Sequence, residues 1–181
     1  MEKKSKLLIS GIIIFILVIV AIKIYEHHRD KNINSFIFPE TLKVNNYTNH
    51  KGADTLVLVI LDKIFQLDTV NVNIIYTPDK FDSSDFQLIA MITKEKYGLH
   101  NYTLFVKKNK YFDVKECICH EMIHVDQMEQ GDLIQIDNTK VVYKGDTIYF
   151  SETDYNDRDY EKEAFKETRN IKKQLNKLLY R

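Results

Sequence analysis

With 181 residues, 26 basic against 26 acidic side chains and two cysteines, the chain has neither the basic surface expected of a nucleic-acid binder nor a disulfide framework. Its length suits a single folded domain of about 130 residues behind an N-terminal segment, and excludes two comfortable cores.

Residues 1–6 are basic, and residues 7–25 form an apolar run interrupted by Ser10, Gly11 and Lys23. At ~1.5 Å per residue such a run approaches the ~30 Å of a bilayer core, which predicts a single N-terminal transmembrane helix. Val18-Ile19-Val20-Ala21 ahead of Lys23 is a poor small-residue cleavage site, so an anchor is favoured over a removed signal peptide. Lys3, Lys4 and Lys6 face Lys23, Arg29 and Lys31 across the run. A short basic N-terminus before a first apolar segment stays inside, so the expected localisation is single-pass membrane with the folded domain extracytoplasmic. Residues 26–52, polar and rich in Asn and Lys with Pro39, read as a stalk, which leaves 53–181 as the domain.

Within it, Asp54 is placed to cap a helix through Leu56, Leu58, Val59, Leu61, Ile64 and Phe65. Val70, Val72, Ile74 and Tyr76 alternate with polar residues and predict a strand. Phe86–Thr93 and Tyr102–Lys107 are two more, joined by a turn around Gly98. One of these strands is expected to border a cleft, where an extended peptide can add to its edge.

Asp113–Glu129 reads as a helix with an apolar stripe of Val114, Ile118, Val125 and Met128. His120 and His124 stand one turn apart on one face, so both imidazoles can reach one metal ion. Glu121 falls inside the stripe where a leucine is expected, and a carboxylate aimed at the core is costly unless a cation or a proton to accept compensates it. A plain core helix with two surface-leaning histidines would leave Glu121 unexplained. Cys117 leans toward the histidine face and reads as a small buried hydrophobe before it reads as an accessory ligand.

Zinc needs a third protein ligand. Since His27, His28, His50 and His100 have no helical partner, downstream carboxylates are the candidates. Between lie three short strands, Leu133–Ile136, Val141–Tyr143 and Thr147–Phe150, with turns at Asp137-Asn138 and Lys144-Gly145-Asp146. Asp159–Leu179 then reads as an amphipathic helix with Ala164, Thr168, Ile171, Leu175 and Leu178 inward. Glu161 projects near that inner face, whereas Glu163 is turned away by about 100°. Periodicity favours Glu161, with Glu163 as the alternative third ligand.

The pieces His120-Glu121-Met122-Ile123-His124 and Glu161-Lys162-Glu163-Ala164 resemble the small gluzincin-type zinc metallopeptidases, in which a His-Glu-x-x-His helix is followed by a hairpin and a helix opening Glu-x-x-Ala. The resemblance covers about Asp113 to Thr168. It implies an α+β fold, here a transmembrane helix followed by a small zincin-like domain whose mixed sheet packs on the active-site helix. It implies Zn2+ held by His120, His124 and Glu161, with Glu121 as the base that hydrolyses a peptide bond in a peptide or protein substrate. The chain departs from larger gluzincins at Phe165, which stands where an acidic or amide side chain often follows the ligand glutamate by four residues; Glu167 holds that place relative to Glu163. Tyr155, Tyr160 and His100 are candidate oxyanion donors, and eleven tyrosines leave the choice open. The competing class is a non-catalytic binding module in which the same ligands hold zinc only to stabilise the fold. Glu121 separates the two, because a structural site has no use for a base and closes its fourth position with a side chain.

Overall fold

The computed structural model describes residues 36–76, 90–95, 99–107 and 113–179, with Ile19 and Lys23 ahead of them. The chain divides into two compact units, Met1–Ile37 with Lys177–Arg181 and Phe38–Asn176. The fold that follows is that of the second.

Four strands, β1 (Lys43–Asn46), β2 (Asn71–Tyr76), β3 (Ala90–Lys94) and β4 (Asn101–Val106), form a mixed sheet in the order β1-β2-β4-β3. β1, β2 and β4 run parallel, and β3 is antiparallel to β4 at the end of the described sheet. The two-residue period sorts its faces. Val72, Ile74, Tyr102, Leu104 and Val106 are buried on one, while the opposite face carries amide pairs, Asn71 to Asn101 at 2.9 Å and Asn45 to Asn73 at 3.0 Å. β1 lies within the stretch whose polarity reads as stalk; its Lys43 and Asn45 side chains face out, and pairing with β2 rather than hydrophobicity makes it a strand.

Helix α1 (Ala53–Val59) continues as a π-helical turn, Ile60–Ile64. Asp54 is not its cap. Gly52, at φ 78, opens the helix with a left-handed backbone, and Asp54 sits in the first turn, where its charge suits the helix dipole. α2 (Val114–Glu129) is capped by Asp113, whose carboxylate accepts from the amides of Lys115 and Glu116 at 3.1 and 3.2 Å. Gly131, at φ 78, follows its end. Every residue from Ile118 to Val125 is buried. α2 is thus enclosed rather than amphipathic, with α1, β3 and β5 against it.

After α2 come β5 (Leu133–Gln135), β6 (Lys140–Tyr143) and β7 (Asp146–Tyr149), an antiparallel meander. Lys144 and Gly145 both take positive φ, 49° and 94°, the backbone of a two-residue hairpin turn. A 3-10 turn, Tyr155–Asp157, leads into α3 (Asp159–Leu179). Ala164, Thr168, Ile171 and Leu175 form its buried stripe. Lys172 ties it to the start of α2 through Asp113 at 3.1 Å and Glu116 at 2.5 Å.

The single transmembrane helix expected over residues 7–25 is corrected: among the described residues no helix is long and apolar enough to cross a membrane. α3, with 21 residues, has the length but carries Lys162, Lys166, Lys173 and Glu167 along its outer side. α1 is too short and α2 too polar. Of the expected span only Ile19 and Lys23 are described; its other residues, and the turn around Gly98, lie outside the described residues. The single-pass localisation with an extracytoplasmic domain rested on that helix and is corrected with it.

At the far end of α2, Glu129, its side chain 7% exposed, accepts from the Tyr102 hydroxyl, bonds His100 Nδ1 and faces Lys94 at 3.8 Å. This carboxylate ties the β3–β4 hairpin to the helix. Removing it leaves the buried Tyr102 hydroxyl without that acceptor, so Glu129→Ala is expected to cost about 1–3 kcal/mol in urea unfolding. Adding Tyr102→Phe should recover part of the loss, and strictly additive losses would show that the bond carries no energy.

Candidate metal centre

The i,i+4 spacing on α2 brings His120 and His124 side by side, with ring centroids 4.9 Å apart. α3 crosses opposite them and delivers Glu161. Its Oε2 lies 3.1 Å from His120 Nε2 and 3.3 Å from His124 Nε2. All three residues are buried, and their ligand atoms lie within 4.8 Å of one another. A tetrahedral ion at zinc's bond lengths of ~2.0–2.1 Å separates its ligand atoms by about 3.3 Å, so the two measured edges fit. An N, N, O donor set also suits zinc.

The electrostatics agree with an anionic third ligand. Burial pushes the Glu161 carboxyl upward, but its contacts with the His120 and His124 rings outweigh it and hold the group at about 2. His124 moves the other way: burial opposes its charge, and Glu161 and Glu121 prevail and raise it. Glu121 is enclosed, and burial raises its carboxyl above the ordinary range against the pull of His124 and His120. Its Oε2 accepts the Ile92 amide of β3 at 2.8 Å.

No family model, curated protein or solved structure matches this chain. What the site can do therefore follows from its own side chains.

Glu163, the alternative ligand, stands away from the group. Two residues along a helix turn it by about 200° from Glu161. Its carboxylate takes the Tyr143 hydroxyl and Lys144 Nζ at 2.8 Å, which hold it below the usual range and pin the β6–β7 turn to α3. Cys117 is half-buried, burial together with Glu121 pushes its thiol up to about 11, and its sulfur is not part of the His120, His124 and Glu161 group. Of the oxyanion candidates, His100 is engaged by Glu129. The Tyr160 ring packs edge-on against His124 at 5.6 Å. Tyr155 hydrogen-bonds Glu161, and burial with that carboxylate raises its phenol.

The sequence assigned no role at the site to four contributors. The Ile92 amide carries no side-chain signal. Phe165, 53% exposed, lays its ring on His120 with centroids 4.6 Å apart. Gln127 meets His124 Nδ1 at 2.8 Å, and Thr168 meets His120 Nδ1 at 3.4 Å. Thr168 was detectable as a hydroxyl within an apolar stripe, and Gln127 as an amide one turn beyond His124 on a buried helix.

Metal content per chain of the purified protein is expected to be near-stoichiometric. Glu161→Ala should lose the metal while Glu163→Ala keeps it. The reverse pattern, read by atomic emission, would exchange their roles.

Proposed function

We propose that the chain is a zinc-dependent metallopeptidase of gluzincin type, hydrolysing peptide bonds in a peptide or protein substrate. The observation that carries this reading is the meeting of His120, His124 and Glu161 with a further buried carboxylate, Glu121, beside them. His120 and His124 would bind through Nε2 and Glu161 through Oε2. Zinc, when bound, supplies a Lewis acid that acidifies water and polarises a carbonyl.

The other roles fall to the chain. Glu121 accepts the proton of the attacking water on the carboxylate oxygen that Ile92 leaves free, then returns it to the leaving amine. Tyr155, at the Glu161 carboxylate, supplies a hydroxyl donor for the developing oxyanion. β3 orients the substrate. The Glu95 amide bonds the Asn101 carbonyl at 2.8 Å, so in the alternating antiparallel pattern residues 93 and 91 also face β4, while Ala90, Ile92 and Lys94 turn their peptide groups to the side on which no described strand pairs, the Ile92 amide being taken there by Glu121. An extended peptide adding there lies beside Glu121.

One observation favours a second reading, a non-catalytic zinc-stabilised module: the bond from Ile92 gives Glu121 a structural task. Glu121→Gln separates the two, since the amide oxygen still accepts from Ile92. The variant should bind zinc and melt like the parent, while hydrolysis of a random-sequence peptide mixture falls by about 10²–10⁴. Equal hydrolysis by both zinc-loaded proteins, or none by either, would overturn the peptidase reading.

A further inference from the structure

Two polar side chains behind the imidazoles have hydrogen-bond roles that their other partners decide. Gln127 Nε2 donates to the Tyr160 carbonyl at 3.3 Å. The atom it presents to His124 Nδ1 at 2.8 Å is therefore Oε1, which can only accept. The Thr168 hydroxyl donates its one proton to the Ala164 carbonyl at 2.7 Å. Toward His120 Nδ1, at 3.4 Å, it too is an acceptor. Both imidazoles are thereby asked to carry hydrogen on Nδ1, which turns both Nε2 atoms, as lone pairs in the neutral rings, toward Glu161. Three acceptors facing one another at 3.1 and 3.3 Å repel unless positive charge lies among them.

We infer that Gln127, with Thr168, is a positioning residue that fixes the imidazole tautomers and so sets the metal affinity of this centre. The inference rests on the metal reading above and deepens it. Such partners commonly fix the tautomer and orientation of ligand histidines. Here the place four residues after Glu161 is held by Phe165, whose ring covers His120 but can accept nothing from its Nδ1. The acceptors come instead from α2 itself, one turn past His124, and from α3, one turn past Ala164. Gln127 is 3% exposed and Thr168 6%, so water does not readily stand in for either. Glu163 also approaches the Gln127 amide, and its bonds to Tyr143 and Lys144 hold it there.

The test uses the full chain as wild type, Gln127→Leu, and Gln127→Glu combined with Glu163→Gln so that no second carboxylate faces the new one. Zn2+ affinity is read by competition with a chromophoric chelator, imidazole protonation by nitrogen NMR, and folding by the melting of the metal-free form. Gln127→Leu should weaken Zn2+ binding about 10–100-fold while staying folded. The exchanged pair keeps an acceptor for Nδ1 but loses the donor to Tyr160, and should bind within about threefold of wild type if acceptance is what counts. Unchanged affinity in Gln127→Leu, or an exchanged pair as weak as Gln127→Leu, would overturn the inference. If wild type itself binds no Zn2+, the metal reading falls, and the NMR decides separately. Hydrogen on His124 Nδ1 in wild type, lost in Gln127→Leu, upholds the positioning role; hydrogen on Nε2 alone ends it.

Discussion

A carboxylate buried between two imidazoles of another helix is the contact on which the rest of this structure turns. Glu161 sits 3.1 and 3.3 Å from the two Nε2 atoms and is 5% exposed. A buried ionised carboxylate is costly unless positive charge compensates it, and the place between the two Nε2 atoms is where such charge can lie, so rotating or sliding α3 on α2 would strand it. Further polar contacts set the register of α3, Gln127 Nε2 to the Tyr160 carbonyl and Thr168 to His120 Nδ1 among them. Its apolar stripe is narrow, one residue per turn, and its outer side is charged. Lys172, bridging to Asp113 and Glu116, secures α3 at the opposite end of α2, so the two helices are matched at two points by charge.

A second pair of contacts fixes α2 against the sheet. Glu121 and Glu129, eight residues or about 12 Å apart along the helix, are both turned toward the β3–β4 hairpin. Glu121 takes the amide of Ile92, and Glu129 gathers Lys94, His100 and Tyr102. β3 is therefore held to α2 at its middle, through Ile92, and at its last residue, through Lys94. His100 adopts a left-handed backbone, φ 65, to make its contact. That conformation is uncommon for a side chain other than glycine, and the buried partner offsets its cost.

The choice between Glu161 and Glu163 shows how far local pattern reaches. Helical phase separates the two by about 200°, and the inner stripe of α3 already pointed to Glu161. Periodicity could not supply the task of the other glutamate. Glu163 meets Tyr143 and Lys144, twenty and nineteen residues earlier, because the left-handed turn at Lys144-Gly145 folds the meander back onto α3. A surface charge on a helical wheel thus proves to be the anchor of a small sheet.

From the sequence alone, the elements that depend on near neighbours could be read: the helix carrying His120, Glu121 and His124, the amphipathic last helix, the alternating strand at Val72–Tyr76 and the turns of the meander. Side chains three or four residues apart on a helix, or two apart on a strand, decide those patterns by themselves. Only the tertiary structure decided what depends on residues far apart in the chain. β1 is a strand because β2 lies 28 residues further on to pair with it. α2 is enclosed because layers from both ends of the domain close over it, and Gln127 and Thr168 become acceptors only because Tyr160 and Ala164 take their hydrogens. A hydrogen bond needs its partner within about 3 Å, and distance in space is the quantity a linear pattern does not carry.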